Sequence, residues 1–545
     1  MHPQPRRQLS IPALGCAICV LAATPGFVAA QVSELTEEQQ ENLMPDQGPG
    51  SVSEEATEST AEQNQNTQRE LRKTGVFFEP RITVQHTITN NARFDNTGIS
   101  DQMTELMPGF RLVSDTARIK GFADYTLRAT HYLHHTSANQ IWHNLFARGT
   151  IEAIEKRVFV DVFGLATLQP ISAFGPTGGG PANSNMTQTT TFRVSPYVKG
   201  YFSGGMDYEA RYSIQDSRYD TNTRSNVVVN DWLLHLGRQS VGQVFGWGVD
   251  ATQQNADYSS GRNIDTTALR ARLNYMPVSQ LRLGAIGGFE STNQLSPERK
   301  SHNIVGFGLD WRPSPRARFY FERESRYFGA SHNAIFEYKT AQSVWSYTDK
   351  RGIVTGLGAR SGSMGPLFDL LNGFYAQREP NADRRAAMVL GQIARLGFPA
   401  DMQVFPDFLT SSSTLQRLQQ LSLALLGQRS TVTLLVMRSD SRLLDNSLLL
   451  GDDFNINSRI RQRGWNLMLA HRLTPNASVN ASIGEIRSLG SVPGLETRTR
   501  PFIVGWSTLV ARRTNVGIQL RRILSDGNVN RYGESAVMGF ITHRF

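Results

Sequence analysis

Met206-Asp207-Tyr208-Glu209-Ala210-Arg211-Tyr212-Ser213-Ile214-Gln215 is the stretch whose reading decides the fold. Apolar side chains stand at every even position and polar ones at every odd position, the period of two that a strand with two unlike faces requires. The same alternation returns in 269–275, where Leu269, Ala271, Leu273 and Tyr275 oppose Arg270, Arg272 and Asn274. It returns again in 477–483, where Ala477, Val479, Ala481 and Ile483 oppose Ser478, Asn480 and Ser482. A charged face cannot meet lipid, so in a membrane these strands put it inside a closed barrel.

Working outward from these segments, the pattern predicts strands at 79–88, 102–114, 117–134, 141–155, 158–170, 189–201, 206–218, 225–238, 245–255, 264–276 and 281–291. It continues at 302–311, 317–328, 332–339, 342–351, 414–427, 430–443, 457–473, 477–488, 497–511, 515–525 and 534–545. The expected fold class is all-β, a transmembrane antiparallel β-barrel of about 22 strands with one helical insertion. Short turns alternate with longer loops along the chain; Ser114-Asp115, Lys156-Arg157, 202–205, 277–280, 312–316, Gln428-Arg429 and 474–476 form the short set. Bacterial barrels keep short turns on the periplasmic side, which places both termini there. Tyr201, Tyr275 and Trp311 precede such turns, where an interfacial aromatic belt would lie.

One connection breaks the hairpin series. Residues 352–413 begin Gly-rich and then read as helical, with Asn381 a candidate cap for a helix from Ala382 to about Leu396. Ala386, Val389, Leu390 and Ile393 share one face of it, and Pro399 lies beyond its end. By the strand count the insertion starts on the outer side, so it either plugs the lumen or forms a helical outer loop.

The 545 residues average a mean hydropathy of -0.34, a value barrels share with soluble proteins because half of each strand is polar. Outside the first 30 residues no run reaches the roughly 18 apolar residues that a membrane helix needs. Those first 30 read as a secretory signal: Arg6 and Arg7, an apolar stretch from Leu14 to Val28, then Ala29 and Ala30 before the expected cleavage. Leu14-Gly15-Cys16 is similar to a lipoprotein box, but the apolar run mostly follows Cys16. Cys16 and Cys19 are the only cysteines, so the exported chain has no disulfide or thiolate chemistry. Residues 31–75 carry ten acidic side chains against Arg69, Arg72 and Lys73, and read as a disordered acidic periplasmic lead. Residues 76–545, the barrel, hold 51 basic and 37 acidic residues. The last strand places Val537, Gly539, Ile541, His543 and Phe545 on one face, similar to the terminal signal that outer-membrane assembly machinery reads, with His543 where an aromatic is usual.

Several blocks resemble the outer-membrane β-barrel proteins of exosortase (PEP-CTERM) exopolysaccharide gene clusters. They are Met107-Pro108-Gly109-Phe110-Arg111-Leu112, Ile171-Ser172-Ala173-Phe174-Gly175-Pro176, Arg193-Val194-Ser195-Pro196-Tyr197 and Arg312-Pro313-Ser314-Pro315. Gln428 to Leu434, directly after the insertion, fits the same pattern. The resemblance covers roughly 75–545 and implies a Gram-negative outer-membrane protein working beside polysaccharide synthesis and export. It carries over no catalytic residue.

The expected function is therefore a non-enzymatic export or assembly barrel without a cofactor, the alternative being an outer-membrane hydrolase acting on polysaccharide or lipid. A basic lumen would attract an anionic polymer by its field, through Lys120, Arg128, Arg211, Arg270, Arg272, Arg318 and Arg521. Expected partners are outer-membrane lipid, an anionic exopolysaccharide and periplasmic export proteins, with no nucleic acid. A TonB-dependent transporter would have a similar strand number but needs a folded plug before the barrel, and only about 45 residues separate signal and first strand.

Chemical clusters are few. His131, His134, His135 and His143 gather near an outer loop, yet no carboxylate or thiolate stands at ligand spacing, and no metal site is expected. Glu322 and Glu324 beside Arg316 and Arg318 could form a paired-carboxylate site, though lumen charges more often neutralise one another. Asp452-Asp453 with Asn455 lacks the full oxygen spacing of a Ca²⁺ loop. Face parity in the last third puts Arg438, Arg442, Arg459, Arg461, Arg463, Arg487, Arg498 and Arg500 outward at the outer rim, an expected lipopolysaccharide-binding patch. The same arginines would be solvated strand extensions otherwise, or a bulge at Gly464 would turn one set inward.

Overall fold

The computed structural model describes residues 75–177, 182–221, 224–238, 244–261, 263–354, 366–376, 379, 381–395, 405, 408–444, 452–528 and 531–545. The expected signal peptide, its cleavage site and all but the last residue of the acidic lead lie outside these residues. The first strands are β1 (Gly75–Thr89), β2 (Asp101–Asp115), β3 (Ile119–Tyr132), β4 (Gln140–Ile154), β5 (Val158–Pro170), β6 (Met186–Phe202), β7 (Met206–Tyr219) and β8 (Val227–Arg238). Next come β9 (Phe245–Tyr258), β10 (Ile264–Val278), β11 (Leu281–Thr292), β12 (Lys300–Ser314), β13 (Ala317–Arg326), β14 (Gly329–Lys339) and β15 (Ser343–Val354). Two helices follow, α1 (Pro366–Tyr375) and α2 (Ala382–Arg395). The chain closes with β16 (Thr414–Leu426), β17 (Ser430–Leu443), β18 (Arg459–Arg472), β19 (Ala477–Leu489), β20 (Glu496–Ala511), β21 (Thr514–Gly527) and β22 (Tyr532–Arg544).

All twenty-two strands belong to one antiparallel sheet. Each pairs with its chain neighbours, and β22 returns to β1, from Arg81 opposite Arg544 to Thr89 opposite Ala536. The sheet is thereby a closed barrel without a free edge. Short turns and both strand termini gather at one end of the wall, longer loops at the other.

The alternation read from the sequence is the wall itself. On β1 the outward side chains include Val76, Phe78, Val84 and Ile88, all exposed, while Thr87 and Thr89 face in and are buried. Arg211 lies opposite Leu233 on the inner face of β7, and Tyr212 meets Trp232 on the outer face with ring centroids 4.6 Å apart. Outward aromatics stack across strands near the turn end, as in Phe202 on Tyr208 and Phe245 on Tyr275. Tyr275 and Trp311 stand outward there as expected, but Tyr201 lies opposite Asp207 and so shares the inward parity, leaving Phe202 as the outward ring. Val537 and Ile541 on β22 and Phe545 just beyond it face out, and the Phe545 amide donates to the Pro80 carbonyl at 3.0 Å.

The described residues of the insertion hold two helices, one more than the sequence pattern predicts. Asn381 caps α2 as expected: its Oδ1 accepts from the amides of Asp383 and Arg384, each at 3.0 Å. α1 is the addition: Pro366 suits a first helical position, and Leu367, Phe368, Leu370 and Leu371 form a short apolar run. With a β-dominated barrel of this closure, the purified protein should show strand-dominated far-UV circular dichroism and migrate faster on a gel before boiling than after it. A helix-dominated spectrum, or one mobility at both temperatures, would contradict the closed wall.

Candidate functional site

The lumen is the concave space around which the molecule is built, and its wall and contents define what it can do. The insertion leaves the wall at Val354 and rejoins it at Thr414, both at the loop end. Its helices nevertheless pack deep inside. Leu367, Phe368, Leu370 and Leu371 of α1 join Ala386, Val389, Leu390 and Ile393 of α2 in one buried apolar cluster. Inner-wall residues complete it from two arcs: Val113, Phe122, Phe146 and Phe163 on β2 to β5, and Val344, Ala424, Leu435, Met437, Met468 and Ala470 on β15 to β18. Val344 and Ala424 lie near the turn end of their strands, so the helices reach most of the way down the bore.

The two arcs stand on opposite sides of the barrel, since nine steps along the wall in one direction and thirteen in the other separate β16 from β3. α2 touches β2 and β3 while α1 touches β15 and β16, so the pair bridges the bore from wall to wall. Ion pairs fix its azimuth: Arg148 on β4 donates to Asp383 at 2.9 Å, and Arg384 pairs with Asp115. Phe405 rests against the backbone at Gly464, where an added Cβ would come within 3.0 Å of its ring. No bulge occurs at Gly464; Met437 and Ile486 flank it in unbroken register.

At the loop end the returning segment 408–413 is clasped. Leu409 donates its amide to Pro170 and accepts from Arg224 Nε at 3.2 Å, while Arg224 Nη2 reaches the Ile171 carbonyl at 2.6 Å. Asp452 accepts from the Thr410 hydroxyl at 2.8 Å and the Ser411 amide at 2.9 Å. Asp453 accepts from Ser172 Oγ and the Ala173 amide, both at 2.7 Å. These carboxylates tie three loops together, and among the described residues no group of three or more His, Cys, Asp or Glu is placed to hold a metal ion. Burial pushes the Asp453 carboxyl above the ordinary carboxylate value, against the lowering effect of those two donors.

All seven expected lumen cations face inward, and six are held by carboxylates. Arg128 pairs with Glu105 at 2.9 Å, Arg211 with Asp161 at 2.7 Å, and Arg270 with Glu324 at 3.5 Å. Arg272 pairs with Glu322 at 2.6 Å, Arg318 with Asp310 at 3.2 Å, and Arg521 with Glu534 at 2.7 Å. Lys120 stands exposed near the turn end of β3. The wall's positive field is thus compensated locally. Glu322 and Glu324 are partnered by Arg272, Arg270 and Arg326 rather than by Arg316 and Arg318, so they do not act as a shared-proton pair. The acidic partners are legible only once register is known, because they come from other strands at inward parity, for Arg211, Arg270 and Arg272 from strands two or three places along the wall.

The histidines disperse. His134 and His135 share the Asp101 carboxylate at 3.1 and 2.6 Å, His131 meets Asn139, and His143 meets Tyr125. Ser430 Oγ lies 2.8 Å from His471 Nδ1, but this is one of several outward hydroxyl–imidazole contacts, with His86 to Thr104 and His543 to Thr514 among them. The eight expected rim arginines all lie on the outward face of β17 to β20. Arg459 and Arg442 share Asp440, Arg487 pairs with Glu496, Arg498 with Glu485, and Arg500 with Asp526.

No protein-family model matches the chain, and no curated protein matches it. Similar solved structures include the FrpB iron transporter from Neisseria meningitidis, F5-1 variant apoprotein form, at TM-score 0.47 and 9% identity, with 86% of this chain and 81% of that chain covered. The ferric-catecholate import receptor Fiu from E. coli K12 gives TM-score 0.44 and 8% identity over 85% and 81%. Acinetobacter baumannii OccAB3 gives 0.33 and 9% over 86% and 99%. Likenesses this distant carry nothing about cargo, and the barrel's closure rests on its own strand pairing.

Two outcomes follow from these contacts. Glu290, fully buried, accepts from Arg326 and from the Tyr327 amide, so Glu290→Ala should lower unfolding stability by about 3–5 kcal/mol by leaving Arg326 short of charge compensation; an unchanged urea midpoint would refute this. The Asp453 carboxyl is raised on folding, so its protonated form is favoured in the clasp. The clasp therefore weakens as pH rises from the ordinary carboxylate value through the raised one. Hydrogen-exchange protection of the Ala173 amide should decline over that window, and Asp453→Asn should flatten the decline.

Proposed function

We propose that this chain is a non-enzymatic Gram-negative outer-membrane conduit, closed at rest by its own insertion, that serves export or assembly of an anionic exopolysaccharide. The observation that carries the closed-conduit reading is the apolar cluster bridging opposite inner walls, because an open water-filled pore has no use for Phe122, Phe146 and Leu435 at inward positions. The outward apolar face supports the outer-membrane location: Phe78, Val305, Phe307, Phe502 and Ile518 are exposed on a closed wall that buries polar side chains on its other side. Short turns and both strand termini then lie in the periplasm, and the clasped loops face outward.

The polysaccharide context comes from the resemblance of the blocks at 107–112, 171–176, 193–197 and 312–315. The paired lumen arginines suit it in one respect. A polymer carboxylate can replace a protein carboxylate on the same guanidinium, an exchange of like for like that costs far less than stripping a buried cation bare. Once the helices leave, Arg270, Arg272 and Arg318 form a stretch of such sites along the wall of β10 and β13.

Planar-bilayer conductance tests the reading. The full-length protein should stay closed, deletion of 364–410 should open a large steady conductance, and an acidic polysaccharide should block that current. Replacing Arg270, Arg272 and Arg318 with Gln in the deletion variant should weaken the block. If deletion leaves conductance unchanged, the insertion is no plug; if acidic and neutral polymers block equally, the cargo assignment fails.

A further inference from the structure

The register of the last third of the wall aligns cations in a way a sheet avoids. Arg438 lies directly opposite Arg463, Arg463 opposite Arg487, and Arg487 opposite Arg498, one arginine on each of four adjacent strands. Side chains so placed have Cβ atoms about 5 Å apart, and like charges there destabilise the pairing. Half of the row is relieved, because Arg487 pairs with Glu496 and Arg498 with Glu485. Arg438 and Arg463 have neither hydrogen bond nor ion pair among the described residues, and neither has Arg461, whose opposite residue Asp440 is already held by Arg459 and Arg442.

Toward the turn end the same outward columns are apolar: Val436, Leu434 and Val432 on β17 face Trp465, Leu467 and Leu469 on β18. Toward the loop end they are charged throughout. From Ser430 to Arg438 the strand rises roughly 27 Å, which a tilt of about 40° reduces to some 21 Å, close to the top of an apolar band about 25 Å tall. Two guanidinium groups without an ion pair therefore sit side by side where hydrocarbon gives way to headgroups, above an exposed tryptophan.

We propose that Arg438 and Arg463, with Arg461 beside them, bind a phosphate group of lipopolysaccharide in the outer leaflet. A phosphate is planar-fork compatible with guanidinium, can accept from both arginines at once and cancels their mutual repulsion. The acyl chains of the same molecule would lie along Val436, Trp465 and Leu467. The assignment rests on the outer-membrane location proposed above.

The test uses the full-length protein extracted in mild detergent, with Arg438→Gln/Arg463→Gln and Arg438→Lys/Arg463→Lys variants. Both substitutions are on the exposed outer face, and a heat-modifiable band verifies folding of each. Lipopolysaccharide retained through purification should fall at least about ten-fold in the Gln variant, since each bidentate contact is worth at least one such factor, and less in the Lys variant, which keeps charge but not the fork. Direct titration should show tight binding of lipopolysaccharide, weak binding of its dephosphorylated form, and weak binding of inorganic phosphate alone. Equal retention by the parent and the Gln variant would overturn the proposal, as would equal affinity for the dephosphorylated lipid. Binding of inorganic phosphate as tightly as the lipid would reassign the site to a free anion and overturn it too. Fractionation of the parent protein away from the outer membrane would instead remove the location itself, a failure visible before any lipid is measured.

Discussion

A backbone amide or carbonyl surrounded by hydrocarbon has no solvent to turn to, so every one must be paired within the protein. The pairing of β1 with β22 meets that demand for the whole wall, because it removes the last open edge. Everything else depends on it. Closure defines an inside, the inside gives the period-two alternation its meaning, and the alternation decides which arginines meet carboxylates and which meet the exterior. In an open sheet the same residues would be an exposed apolar face backed by charge.

That dependence explains why the architecture was legible in the sequence. Alternation over 206–215, 269–275 and 477–483 survives without knowledge of any partner, since each strand displays both faces by itself. Short turns then pair the strands in order. The strand number and the parity of Arg211, Arg270 and Arg438 follow from local pattern alone. Contacts that depend on register did not follow. Nothing in the neighbourhood of Arg272 names Glu322, and nothing near Arg521 names Glu534, because the partner's identity is fixed by stagger between strands. Helix α2 was readable from Asn381 and its apolar stripe. Helix α1 was shorter and lacked a capping side chain, and its destination inside the bore is a tertiary fact.

The lumen also illustrates how charge composition misleads. A basic excess over the barrel suggests a positive interior, yet six of the seven expected lumen cations are paired with carboxylates, while Arg438, Arg461 and Arg463 on the outside have no ion pair among the described residues. Net charge describes a surface only after parity has sorted it. Here the sorting places three arginines without an ion pair on the outward face of β17 and β18.

The route of the insertion has a kinetic side. It enters from the loop end between β15 and β16, yet α2 rests on β2 and β3, strands made more than two hundred residues earlier. Such contacts have high sequence separation, and loop-closure entropy makes them slow to form by chance. Once made, they hold the early and late halves of the sheet across a common apolar core. The helical pair is thus a cross-tie as well as a filling: it joins strands far apart in the chain that hairpin pairing alone never brings into contact.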